Sequence, residues 1–272
     1  MRGLILAFRF LTIIPIPVRV RGGVSALDLS RSAVFFPAVG AFQGLLAASV
    51  ATVSLKLFTG EVASVLAISA MIMSNGGFHL DGLADTFDGL AVKSSGDRGA
   101  DRERRLSVMK DSATGAIGVV AVVLAIILKY LILADLLMKA PKDTASSLLF
   151  LMPVFSKWVI VASLYLGTSA RQDGLGKMFI DSVTISTVIL SSFCSILFCF
   201  IVSALYLYPP YGPSVLALFF SLYAVFTVFS FAAGWFCKRR FGGLAGDNFG
   251  AINEIAEILF LFMAVLWLQR SI

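Results

Sequence analysis

The sequence predicts an all-α fold: a polytopic integral membrane helical bundle of about seven transmembrane helices, preceded by an N-terminal interfacial or re-entrant helix. Three observations carry the prediction. Hydrophobic residues make up 58% of the 272 and charged residues only 14%, with a mean hydropathy of +0.93, whereas about 25% of a soluble domain is charged. From Ser182 to Cys237 there is no Asp, Glu, Lys, Arg or His, and Pro209-Pro210-Tyr211-Gly212-Pro213 divides that run into two halves, each near the roughly 20 residues a span needs. Lys and Arg are unevenly shared: loops 1–33, 80–112, 169–182 and 238–248 hold 16, and the opposite loops 56–60, 137–145, 207–212 and 269–272 hold 4. By the positive-inside rule the first set and the N-terminus are cytoplasmic.

In chain order, Leu4 to Val18 is apolar but broken by Arg9, Pro15 and Pro17, without the small-residue cleavage site of a signal peptide, and reads as interfacial or re-entrant. Spans follow near 34–56, 61–79, 113–136, 146–168, 183–206, 213–237 and 249–268, each a mainly apolar stretch of membrane length. The third and fourth contain Lys129 and Lys157, and the fifth and sixth form a helical hairpin. The last starts with Glu254 and Glu257 at i and i+3, where negative charge suits the helix dipole. Lys93 to Arg105, the longest polar segment, reads as a mobile cytoplasmic loop. Residues 1–272 read as one membrane-embedded domain without an internal repeat. The net charge of +6 needs no nucleic acid, because basic loops facing anionic membrane lipid account for it. Cys194, Cys199 and Cys237 lie in or at the edge of apolar spans without paired spacing, so neither zinc nor a disulfide is indicated.

The chemistry concentrates at Gly76-Gly77-Phe78-His79-Leu80-Asp81-Gly82-Leu83-Ala84-Asp85-Thr86-Phe87-Asp88-Gly89. Carboxylates are costly near a bilayer and ask for a cation. On a helix Asp81, Asp85 and Asp88 stand at i, i+4 and i+7, within roughly 40° on one face. Oxygen-only ligands of this hardness suit Mg²⁺ or Mn²⁺ better than zinc. A solvated acidic face is the bland alternative, but the neighbours Leu80, Leu83, Phe87 and Leu90 are apolar. His79, the single histidine, points away from that face in a continuous helix and joins a metal site only where Gly76-Gly77 breaks it.

Three further polar segments share the cytoplasmic side. In Met109-Lys110-Asp111-Ser112, Asp111 or Ser112 would cap the next span, with Gly115 and Gly118 keeping its first turns slim. Arg171 to Lys177 is a turn with two cations, an ordinary loop or a contact for phosphates. Gly242-Gly243-Leu244-Ala245-Gly246-Asp247 is a glycine-rich loop whose amides would cradle an anion at a helix N-terminus. Lys238-Arg239-Arg240 before it reads as a positive-inside anchor.

Phe10-Leu11-Thr12-Ile13-Ile14-Pro15-Ile16-Pro17, the Gly77–Gly89 block, Met109–Ser112 and Gly242–Asp247 occur in the order seen in the cobalamin synthase family (adenosylcobinamide-GDP ribazoletransferases, cobalamin-5′-phosphate synthases), which the chain resembles over nearly its whole length. Phe87, Ala113, Ala116-Ile117 and Ala245 depart from the family pattern. The resemblance implies a Mg²⁺-dependent transferase acting on adenosylcobinamide-GDP, a corrinoid-GDP substrate, and α-ribazole or α-ribazole 5′-phosphate, giving adenosylcobalamin or its 5′-phosphate and GMP. It implies an inner-membrane location with the site facing the cytoplasm. The basic loops would be where other enzymes of cobalamin biosynthesis dock. On this reading Asp81, Asp85 and Asp88, completed by Asp111 and Asp247, hold the metal. Asp88, or else His79, accepts a proton. Lys110 and Arg105 clamp phosphates, with Ser112, Gly243 and Gly246 also at the substrate. Two rivals remain: a CDP-alcohol type phosphotransferase, against which Asp85 stands where that family has Arg, and an ion-coupled secondary transporter using Asp81, Asp85, Lys129, Lys157 and Glu254.

Overall fold

The computed structural model describes residues 1–17 and 23–271; Val18, Arg19 and Arg21 of the basic N-terminal segment fall outside them. Among the described residues the chain is helical throughout, with a single bridge between Ser169 and Leu244 as its only β pairing.

Helices α1 (Arg2–Leu11) and α2 (Ala26–Ala33) are too short to cross a bilayer. α1 buries Leu6, Ala7 and Leu11 while Arg2 and Arg9 stay exposed, the pattern of an interfacial helix. Arg2 ties it to Asp28 of α2 at 3.1 Å. α3 (Phe36–Ser54) is the first span. α4 (Gly60–Asn75) and α5 (Phe78–Ala91) meet at 87°. Gly76 and Gly77 make the break with φ of 67° and 77°, a left-handed backbone that glycine adopts without steric cost. The expected span at 61–79 is therefore a bent pair, and the aspartates ride on a helix of their own.

The segment expected to be a mobile loop is largely α6 (Arg98–Val108). Asp97 starts it by accepting the amides of Gly99 and Ala100 at 2.8 and 3.3 Å. Asp101 then anchors the approach, accepting the hydroxyls of Ser94 and Ser95 at 2.5 and 2.8 Å and the Ser95 amide at 2.8 Å. Those bonds favour the ionised form and hold the Asp101 carboxyl at about 2.

α7 (Ala116–Lys139) and α8 (Lys142–Leu166) follow as a helical hairpin. α8 is the axle of the bundle, 94% buried along its apolar window, against 33% for α7. It lies against α3, where a Cβ at Gly40 would fall 2.9 Å from the Val154 Cα and one at Gly44 2.8 Å from the Phe150 carbonyl carbon; small residues let helix backbones approach this closely in membranes. α9 (Leu175–Ser182) is short. α10 (Ile185–Val202) runs through a π-helical turn, Ser203–Leu207, into α11 (Tyr208–Tyr211), forming one span, and α12 (Ser214–Phe241) and α13 (Gly246–Ser271) complete the set. Six helices thus suffice to cross, and the bent pair brings the number to seven.

The charges inside the spans find one another. Lys129 of α7 donates to Glu254 at 2.6 Å and to Glu257 of α13. Lys157 of α8 donates to Asn253 at 2.7 Å and lies 3.7 Å from Glu257, which also accepts from Ser156 at 3.2 Å and Asn253 at 2.9 Å. Two ammonium groups and two carboxylates cancel in one buried cluster that pins α7, α8 and α13 together. Because α13 begins at Gly246, Glu254 and Glu257 sit beyond its first turn. Ion pairing, and not the helix dipole expected from sequence, holds them.

Candidate functional site

α5 and the start of α13 cross backbone to backbone. A Cβ at Gly82 would fall 2.5 Å from the Asp247 carbonyl oxygen, and one at Gly250 would fall 2.8 Å from that of His79. Asn248 locks the crossing, donating to Thr86 at 3.0 Å and accepting the Ala245 amide at 2.8 Å. This approach carries Asp247 onto the aspartate face of α5. Asp81 is exposed, and Asp85 and Asp247 are half-buried. The charges bearing on Asp85 are those of Asp81, Asp247, Asp88 and Arg171, so four helical carboxylates and a guanidinium share one neighbourhood. Arg171 donates to Asp247 at 3.0 Å and, with Lys110, lines an open cleft of about 370 Å³ that also includes Ser107 and Gln172.

Asp88 has a second engagement. Its two oxygens accept the Gly115 and Gly118 amides at 2.7 Å each, satisfying orphan donors at the start of α7 from another helix. α7 is thus capped by Asp88, and not by Asp111 or Ser112 as the sequence suggested. Both glycines are needed: a Cβ at Gly115 would fall 2.5 Å from Asp88 Oδ1. Each carboxylate oxygen retains a further lone pair.

The other expected residues have different surroundings. Asp111 and Ser112 are exposed in the turn before α7, where Asp111 accepts the Ala113 amide at 3.1 Å. Arg105 is buried on a different face of α6 from Ser107, donating to the Arg240 carbonyl at 3.0 Å. It lines a cavity of about 420 Å³ with Arg98, Arg102, Trp235 and Arg239. Gly243 packs against the backbone of Ser169 and Ala170, and the amide of Leu244 is taken by the Thr168 carbonyl at 2.7 Å; with the Ala245 amide taken by Asn248, these two amides of the glycine-rich loop are already engaged within the protein. Gly246 is exposed, and a Cβ there meets nothing within 4 Å. His79 is buried below the aspartate face, its ring 4.0 Å from that of Phe78.

The donor set is all oxygen, which fits Mg²⁺ in kind. Among the described residues no group of three or more His, Cys, Asp or Glu side chains is placed to hold a metal ion by itself. Mg²⁺ is commonly held by one or two carboxylates completed by water and substrate phosphates, and Asp81, Asp85 and Asp247 are donors of that kind; the cleft that Arg171 and Lys110 line also carries Glu103 and Asp173. Arg171 is the residue that sequence undervalued. A cation in a loop carries no local sign that it will reach an aspartate 76 positions away.

A family model described as cobalamin-5-phosphate synthase matches residues 3–265. The chain is 33% identical to the adenosylcobinamide-GDP ribazoletransferase of Thermodesulfovibrio yellowstonii, covering 96% of this chain and 95% of that protein. It is 37% identical to the protein of that name from Geotalea daltonii, covering 95% of each, and 30% identical to that of Klebsiella pneumoniae, covering 94% and 96%. No solved structure matches.

Proposed function

The chain belongs to the cobalamin-5-phosphate synthase family of transferases, and from that premise we propose that it joins ribazole to a GDP-activated corrinoid in a Mg²⁺-dependent reaction. The substrates are adenosylcobinamide-GDP and α-ribazole or its 5′-phosphate, and the products are adenosylcobalamin or its 5′-phosphate and GMP. The observation that carries the reading is the grouping of Asp81, Asp85 and Asp247 with Arg171, which also lines an open cleft with Lys110. Carboxylates for a cation beside cations for phosphates are what pyrophosphate cleavage demands.

In this mechanism the ribazole 3′-hydroxyl oxygen attacks the phosphorus bonded to the cobinamide arm. The bond from that phosphorus to the bridging oxygen breaks, and GMP leaves with the bridging oxygen. A carboxylate of the Asp81 and Asp85 pair takes the hydroxyl proton, since Asp88 is occupied in holding α7 and His79 is buried away from that face. Arg171 and Lys110 orient the pyrophosphate. Arg171 also fixes Asp247 against α5. Mg²⁺, when bound by these aspartates, neutralises charge developing on the leaving phosphate. The site faces the cytoplasm of the inner membrane, consistent with the basic loops on its side.

The test is incubation of the purified, lipid-reconstituted protein with both substrates and Mg²⁺, with EDTA as control. GMP and a cobalamin product are expected only with metal. Folded protein that forms neither would overturn the proposal.

A further inference from the structure

Against the crossing of α5 and α13, with His79, Gly246 and Gly250 in its lining, lies an apolar cavity of about 150 Å³ whose walls include Phe10, Phe36, Phe78, Phe179 and Phe249. A cavity of that size, walled by aromatic rings, has room for a fused bicyclic ring. His79 is part of the lining. It is 1% exposed, and neither Nδ1 nor Nε2 has a hydrogen-bond partner. A neutral imidazole offers one donor and one acceptor, and leaving both idle in a dry wall is unfavourable unless something else engages them. Gly246 also lines the cavity. His79 comes two residues before Asp81 and Gly246 one before Asp247, so the cavity wall and the carboxylates are built from the same turns of α5 and α13.

Building on the transferase reading, we propose that this cavity is the subsite for the base of the acceptor nucleoside. The flat, apolar benzimidazole of ribazole would lie among the phenylalanines, its glycosyl-free ring nitrogen hydrogen-bonded to His79 and its ribose leaving past Gly246 toward Asp247. Selectivity follows from the same walls. A purine brings exocyclic polar groups that a phenylalanine lining leaves without partners, so purine ribosides are disfavoured.

The test is binding of α-ribazole to the nanodisc-embedded protein in EDTA, read by benzimidazole fluorescence, beside steady-state kinetics for both substrates. Two variants probe the cavity. His79→Phe keeps an aromatic ring and removes the polar atoms; about tenfold weaker α-ribazole binding is expected, equivalent to ~1.4 kcal/mol. Gly246→Leu fills the cavity mouth where a side chain meets no backbone, and saturable binding should disappear. In both variants an unchanged elution profile shows that the fold is intact. Wild-type affinity in both variants, with GMP still formed by the unmodified protein, overturns the subsite and leaves the transferase reading standing. Binding lost in Gly246→Leu while the unmodified protein forms no GMP supports the subsite and overturns the transferase reading.

Discussion

Asp88 shares a helix face with Asp81 and Asp85, yet its surroundings assign it mechanical work, and Asp88→Asn separates the two roles. The carboxylate accepts two amides of α7 at 2.7 Å. Asparagine keeps one acceptor oxygen and turns an NH₂ group toward the other amide, so one charge-assisted bond is lost, about 1.5–3 kcal/mol. Removing negative charge from the start of α7 adds roughly 0.3–1 kcal/mol. The expected destabilisation is therefore about 2–4 kcal/mol. Thermal unfolding in nanodiscs, followed by fluorescence of the three tryptophans, should show a lower midpoint. Hydrogen exchange should accelerate at the Gly115 and Gly118 amides before the rest of α7. An unchanged midpoint together with unchanged exchange at those amides would refute the capping role and return Asp88 to the candidates for proton acceptor.

Asp81→Asn should leave the unfolding midpoint unchanged and lower GMP release by at least ~10²-fold; near-normal turnover at saturating Mg²⁺ would exclude Asp81 from the site. Arg171→Ala removes a charge-assisted bond from Asp247 and a phosphate contact, and roughly a 10- to 100-fold loss in kcat/KM is expected, partly restored by Arg171→Lys. Glu257→Leu leaves two buried ammonium groups with Glu254 as their one carboxylate, and about 3–5 kcal/mol of stability should be lost in thermal unfolding, with recovery when Lys129→Met is added. Asp101 is held at about 2 against an ordinary 3.8, so its anchoring of Ser94 and Ser95 is fully present above pH ~4 and is lost as pH falls toward 2. Hydrogen exchange at the Ser95 amide, which Asp101 accepts, should accelerate over that window, while Asp101→Asn should exchange rapidly there throughout it.

The spans were legible because each is a long apolar run, and the charge-free stretch from Ser182 to Cys237 gave its hairpin directly. The acidic trio was legible because its spacing is local to one helix. The 87° turn between α4 and α5 was only half legible: paired glycines permit a left-handed backbone but do not require one. Two kinds of relation stayed hidden. The capping of α7 by Asp88 joins residues 27 and 30 positions apart, and the grip of Arg171 on Asp247 spans 76; neither leaves a periodic trace. α6 was obscured differently, because a short, strongly charged helix has the composition of a loop and is fixed by the serine bonds to Asp101. Arg105 and Lys110 looked alike as phosphate clamps, yet Arg105 is buried against the Arg240 carbonyl while Lys110 stands in the open cleft.

The buried cluster of Lys129, Lys157, Glu254 and Glu257 has a temporal meaning. Ribosomes extend chains at roughly 5–20 residues per second, N-terminal parts first. α8 therefore reaches the membrane with Lys157 about a hundred residues ahead of Glu257. For roughly 5–20 s at those rates, two ammonium groups wait without counter-charges in or beside a bilayer that penalises each by about 2.5–3.5 kcal/mol at its centre. Arrival of α13 ends that exposure and, in the same movement, brings Asp247 against α5. The last helix is thus a latch: a chain interrupted before it is left with two unpaired lysines among its spans and without Asp247 beside the aspartates of α5.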